Sequence, residues 1–254
     1  MQTLVNEKGD EAIDVFRMHY RAAVQRMDKD IGVIIETQKK RNRLDKTIWV
    51  LVADHGESLN DHNELLHGAQ FYNSVINVPL IVKIPGLPGF SRPIPALVSH
   101  VDIMPTILEL VGAVAPATID GTSMMPLMRK EKEKIRHIAL SEGGVAIPKG
   151  EMPGAVIALP WTLLFQEGGC YGSSSQALPR NPGQTTSRCL YNLIEDPEQE
   201  ELISRQDQSI IRRLESTWWS FQKSRKQALQ MNLDPSFVRE LQRTGYDFRT
   251  SEED

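Results

Sequence analysis

The sequence predicts an α/β chain: part of a doubly wound sheet, followed by a small α+β subdomain of antiparallel strands and one long helix. Three observations carry that prediction. An apolar stripe at steps of three and four runs through residues 11–40, the mark of a long amphipathic helix. Two short runs rich in β-branched and aliphatic residues follow it, Thr47–Ala53 and Val78–Gly86. After residue 129, strand-like runs give way to a stretch of helical periodicity.

The first helix rests on Ile13, Phe16, Tyr20, Val24, Met27, Ile31 and Ile34. Lys39, Lys40, Arg41 and Arg43 crowd its end, where cations suit the helix dipole and face solvent. Thr47–Ala53 is apolar on both faces, as expected of a buried parallel strand. Val78–Gly86 is a second strand bounded by proline and glycine. Asp102 is placed to cap a helix through Leu110, which Gly112 ends. Helix, strand, loop, strand, helix is the order of a doubly wound sheet. With only two strong strands visible, this block, residues 1–128, reads as the later part of a larger domain.

A second block, residues 129–230, is expected to hold strands near His137–Leu140, Gly154–Gln166 and Cys189–Leu193. A Gly-, Ser- and Pro-rich loop is expected over Gly168–Gln184, and a helix over Glu198–Gln230, started by Asp196-Pro197. Trp161, Trp218 and Trp219 are read as core residues. Residues 231–254 are read as a polar tail. Cys170 and Cys189 are expected to be free thiols, with a single bridge between them as the alternative.

The 254 residues are 40% hydrophobic and 24% charged, enough for a real core. A formal net charge of -4 gives no electrostatic case for a nucleic-acid partner. The longest apolar run, Ile48–Ala53, is too short to cross a bilayer, and the first residues show no secretory signal. Oligomeric state is not legible.

The informative stretch is Ala53-Asp54-His55-Gly56-Glu57-Ser58-Leu59-Asn60-Asp61-His62-Asn63-Glu64-Leu65-Leu66-His67-Gly68. Asp54 stands at the carboxyl end of a strand, the edge where open α/β sheets bind ligands. Asp offers a hard oxygen and neutral His a nitrogen, so Asp54 and His55 can form half a site for a divalent cation if the turn at Gly56 brings them to one side. On spacing alone, a turn-capping Asp54 beside an ordinary polar His55 is equally consistent.

Several segments in order resemble the sulfatase family of the alkaline-phosphatase superfamily. Thr47–Ala53 followed by Asp54-His55-Gly56-Glu57 is similar to the family's metal strand and its end. His67-Gly68, Tyr72, Val78-Pro79-Leu80-Ile81 and Pro85-Gly86 follow at family-like spacing. Val101-Asp102-Ile103-Met104-Pro105-Thr106 resembles the Val-Asp-x-x-Pro-Thr helix, and Asp120-Gly121-Thr122-Ser123 the next landmark. Leu190-Tyr191-Asn192-Leu193-Ile194-Glu195-Asp196-Pro197-Glu198 resembles an element of the family's small C-terminal subdomain. The likeness departs at Asn60, where the family often has glycine.

The resemblance implies an alkaline-phosphatase-like sheet and hydrolysis of a sulfate ester, on a small molecule or a glycan, held against a divalent cation. That cation would be Ca2+, or Mn2+ or Zn2+ in the phosphate and phosphonate ester branches. It implies Asp54 and His55 as cation ligands and His67 as the catalytic side chain near the sulfate and leaving oxygen. Glu57 is expected to orient His55 or the loop, and His62 to line the cleft. Specificity is expected in loops such as Asn60–Gly68 and Gly143–Gly154. The family's nucleophile, a formylglycine made within Cys/Ser-x-Pro-x-Arg, has no counterpart here, and no Asp-Asp pair occurs. The expectation is that an N-terminal portion is missing and that this chain alone is inactive.

Overall fold

A computed structural model describes residues 2–68, 70–143, 152–166, 169–170, 187–203 and 207–229, without the side chains of 2–8 and 225–229. Most of the expected loop at Gly168–Gln184, most of the loop at Gly143–Gly154, and the tail at 231–254 lie outside the described residues. Helix α1 (Gln2–Lys40) bends at Gly9, which takes a left-handed φ of 56°, and carries Lys39 and Lys40 in its last turn. The apolar stripe made the helix but is only partly covered. Ile13 is buried, whereas Val24, Met27 and Ile34 are exposed.

Strands β1 (Trp49–Val52) and β4 (Leu80–Lys83) pair with each other. Between them lie the short strands β2 (Ser58–Leu59) and β3 (Leu65–Leu66), which form a hairpin, and the one-turn helix α2 (Asn73–Ile76). The pairing of β1 and β4 is antiparallel, not the parallel arrangement that apolar residues on both faces suggested. The connection leaves and returns at one end of the pair, where the Ala53 amide donates to the Pro79 carbonyl at 3.4 Å. The four-residue α2 cannot carry the chain back along the sheet, as a parallel crossover requires. Leu51, Val52 and Ile81 are exposed, so this pair is not buried on both faces.

Helix α3 (Ile103–Leu110) follows a single 3-10 turn over His100–Asp102. Contrary to expectation, Asp102 does not cap α3 with its side chain. Ser99 is the cap and Asp102 completes the box, its carboxylate accepting the Ser99 amide at 2.9 Å. That carboxylate, fully buried, also accepts the Thr122 amide at 2.7 Å and is forked by the Arg136 guanidinium. The Thr106 hydroxyl donates to the Asp102 carbonyl at 2.6 Å and accepts the Met124 amide at 2.8 Å. The Asp-x-x-x-Thr spacing therefore welds α3 to the segment before α4 (Met125–Met128).

The small subdomain is an antiparallel meander of β5 (Ala139–Glu142), β6 (Gly154–Ala158), β7 (Trp161–Gln166) and β8 (Ser187–Asn192). Alternation sorts its two faces. Val156, Leu163, Phe165 and Leu190 pack under α5 (Gln208–Leu229), against Ile211, Leu214 and Trp218. Trp218 is fully buried, its ring stacked on Phe165 at 4.9 Å, and Trp161 packs beside them. Trp219 departs from the core reading: it is 37% exposed, at the rim beside Arg188. Gly154 is obligatory, because any Cβ would meet the Trp218 ring and the Ser141 carbonyl. The opposite face, Ala155, Leu164, Cys189 and Tyr191, covers Phe71 and Tyr72 of the first block.

Two expectations are corrected here. Cys170 and Cys189 are joined by a disulfide, not free; with Cα atoms 5.3 Å apart, the bridge closes a stretch that sequence spacing alone could not place. The last helix begins at Gln208, not at Glu198. The Asp196 carboxylate captures the amides of Glu200 and Glu201 at 3.0 and 2.9 Å, and Gln199 takes a left-handed φ of 59°, so the chain turns before it can wind. Among the described residues, no helix is long and apolar enough to cross a membrane.

Candidate active site

The site begins where β1 ends. Ala53 is pinned from two sides: its amide reaches Pro79, and its carbonyl accepts the Nε2–H of His100 at 2.9 Å. Asp54 then projects into solvent, its side chain 91% exposed, and its Oδ1 accepts the His55 amide at 3.0 Å. That backbone hydrogen bond, a further one from its own amide, and the nearby charge of His55 hold its carboxyl below the usual carboxylate range.

His55 Nδ1 lies 2.7 Å from the Gly56 carbonyl. A carbonyl only accepts, so Nδ1 carries the proton and the neutral ring keeps a lone pair on Nε2. That Nε2 stands 3.8 Å from Asp54 Oδ2. The strand thus places the two candidate ligands on one side, at a separation that two donors bound to one ion at about 2.0–2.5 Å can span. Gly56 permits the arrangement by close approach. Its amide donates to the Val75 carbonyl at 2.7 Å, and a Cβ would collide with the Ser74 carbonyl.

Glu57 is largely sheltered, 16% exposed, with its oxygens 3.1 and 3.2 Å from Nδ1 of His67. Its partner is therefore His67 and not His55, whose own Nδ1 is occupied by backbone. The His67 ring in turn stacks on His55, with centroids 3.9 Å apart and planes 30° apart. Asp54, His55, Glu57 and His67 form one connected group.

The β2–β3 hairpin builds this group. Ser58 is buried and its hydroxyl donates to the carbonyls of Glu64 and Asp61 at 2.9 and 3.1 Å. Asp61 is turned back to accept the Leu59 amide at 2.9 Å, while Arg17 of α1 donates to the Leu59 carbonyl at 3.0 Å. Asn60, where the resembled family often has glycine, adopts a left-handed φ of 78°, which Asn tolerates better than most side chains.

His62 is the exception among the expected site residues. It leaves the group and lies flat on Tyr72, with its Nε2 2.9 and 3.0 Å from the carbonyls of Glu198 and Gln199. The expectation that it lines the cleft is corrected: its ring faces the small subdomain. Sequence reasoning missed Arg17 as a hairpin support and Gln199 as the receiving residue. Only the proximity of Gln199 to Asp196-Pro197 could have flagged it.

Among the described residues, no group of three or more His, Cys, Asp or Glu could hold a metal ion. The exposed carboxylate of Asp54 and the Nε2 lone pair of His55 suit a divalent cation chemically as a pair of donors.

Solved hydrolases share this fold. A 2-O GAG sulfatase superposes with a TM-score of 0.74 at 19% identity, covering 92% of this chain and 48% of that one. The phosphonate monoester hydrolase of Agrobacterium radiobacter gives 0.64 at 21%, covering 85% and 42%. These likenesses define the fold, an alkaline-phosphatase-like α/β architecture. The model of the sulfatase family matches residues 6–113. A Delta 4,5-hexuronate-2-O-sulfatase of Bacteroides thetaiotaomicron is 27% identical over 197 residues, 76% of this chain and 39% of that protein. Arylsulfatase K of Rattus norvegicus is 34% identical over 118 residues, 46% of this chain and 21% of that protein. The chain spans less than half the length of the relatives it matches.

Proposed function

We propose that this chain supplies part of the active site of a hydrolase that cleaves sulfate esters with the help of a divalent cation, calcium in the first instance. The observation that carries the reading is the joined group at the end of β1: Asp54 Oδ2 and His55 Nε2 3.8 Å apart, with His67 stacked on His55 and backed by Glu57. Asp54 and His55 would hold the cation. When bound, it would neutralise ester oxygens and stabilise charge that develops on them. His67, its Nδ1–H on the Glu57 carboxylate, would offer Nε2 to the substrate anion or carry a proton to the leaving oxygen. Glu57 fixes the tautomer and supports the imidazolium when it forms. The match to the sulfatase family model and the names of the relatives favour a sulfated saccharide as the substrate class.

The sequence contains no Cys/Ser-x-Pro-x-Arg and no Asp-Asp pair. This chain by itself should therefore bind cation weakly and release no sulfate, since neither a nucleophile nor the remaining oxygen donors are present. Calorimetric titration of calcium into the chain and into Asp54→Ala tests the metal reading. Binding that survives the substitution undiminished would overturn it. Parallel assays with an aryl sulfate and an aryl phosphonate test the rest, and turnover of either ester by this chain would refute the missing-nucleophile account.

A further inference from the structure

We infer that His62 is a positioning residue: it anchors the tip of the β2–β3 hairpin to the small subdomain and thereby holds His67 at the base of the same hairpin. The role rests on the reading above, because the position it secures is that of His67. The His62 Nε2 faces two carbonyls, Glu198 at 2.9 Å and Gln199 at 3.0 Å, so it must carry the proton and donate to both. The ring lies 3.7 Å above Tyr72 with only 8° between planes, and Tyr72 meets Tyr191 of β8 edge-on at 6.0 Å.

The receiving turn is built for the purpose. Gln199 is fully buried in a left-handed conformation, so its carbonyl reaches His62 while its Oε1 accepts the Asn73 amide at 2.6 Å. The Asn73 side chain also donates to the Pro197 carbonyl at 2.8 Å. Residues 197–199 thus grip the first block at His62 and at Asn73, the two positions that bracket His67.

The hairpin needs such a grip. Asn60, His62, Asn63 and Leu66 all have positive φ, between 57° and 78°. Side chains other than glycine hold that backbone only where their surroundings over-determine it. Released at His62, the hairpin relaxes, and His67 parts from Glu57 and from the His55 ring.

Histidine-resolved NMR of the whole chain tests this with two variants. His62→Phe keeps a ring over Tyr72 but removes the donor; His62→Gln keeps an N–H donor. In His62→Phe the cross-peaks between the His55 and His67 rings should vanish, while those between Trp218 and Phe165 in the remote core persist. His62→Gln should retain both sets. Persistence of the His55–His67 cross-peaks in a folded His62→Phe would overturn the proposal. If His62→Phe does not fold, His62→Gln decides, and loss of those cross-peaks there would overturn it. None of these signals involves a cation or an ester. The outcome is therefore separate from whether Asp54→Ala abolishes calcium binding.

Discussion

At the scale of the residue, the decisive feature is how backbone groups dress the site's side chains. The His55 amide binds Asp54, the Gly56 carbonyl fixes the His55 tautomer, and the Ala53 carbonyl holds His100. An Asp at the end of an open strand would ordinarily titrate like a free carboxylic acid. Here donated N–H groups and a neighbouring imidazole favour its charged form, so its folded pKa lies below its unfolded one. The sign follows from that direction: the contribution is present above the unfolded pKa and lost as pH falls through the folded one. Carboxyl-resolved NMR should place the Asp54 midpoint below that of an ordinary aspartate. His55→Ala should raise it only part of the way, because the largest cause is a backbone amide that the substitution leaves in place. A midpoint at the ordinary value in the parent chain would contradict the geometry. Asp54 and His67 stood out in the sequence by their residue types and order. Glu57's attachment to His67 was not, since ten residues and a hairpin separate them.

At the scale of the element, α1 and α3 were readable because periods of three and four are local properties of the chain. The start of α5 was misplaced because a helix start depends on whether a nearby carboxylate competes for the first amides, as Asp196 does. What holds the small subdomain is the α5 face against one side of the meander. Trp218 is its centre, fully buried on Phe165 and above the space that Gly154 leaves open. Trp218→Ala should cost about 3–5 kcal/mol in urea denaturation, through lost burial and the cavity left behind. A cost below about 1 kcal/mol, within the range of surface substitutions, would show that the helix does not depend on this contact.

At the scale of the molecule, two blocks are joined by Phe71 and Tyr72 under the second face of the meander, with the turn at 196–199 alongside. Elsewhere in the first block, many apolar side chains are exposed. Val24, Met27, Val33 and Ile34 of α1, Leu51 and Ile81 of the strand pair, and Met104, Ile107 and Val111 around α3 are all exposed. Exposed apolar groups on this scale mark contact surfaces. The chain in solution should therefore self-associate with rising concentration in sedimentation velocity. Met27→Lys with Ile34→Lys should weaken that association. A monomer at every concentration would show that these side chains find cover within the chain.

The sequence by itself determined the helical run through residues 11–40, the strand segments within Thr47–Ala53 and Val78–Gly86, and the concentration of acids and imidazoles between Asp54 and His67. Those follow from periodicity and from residue types that few other arrangements require. The tertiary structure alone decided the antiparallel pairing of β1 with β4, the bond between Cys170 and Cys189, the pairing of Glu57 with His67, and the turning of His62 toward Glu198 and Gln199. Each joins residues far apart along the chain. Such contacts depend on where the intervening segments come to rest, and no local pattern records that.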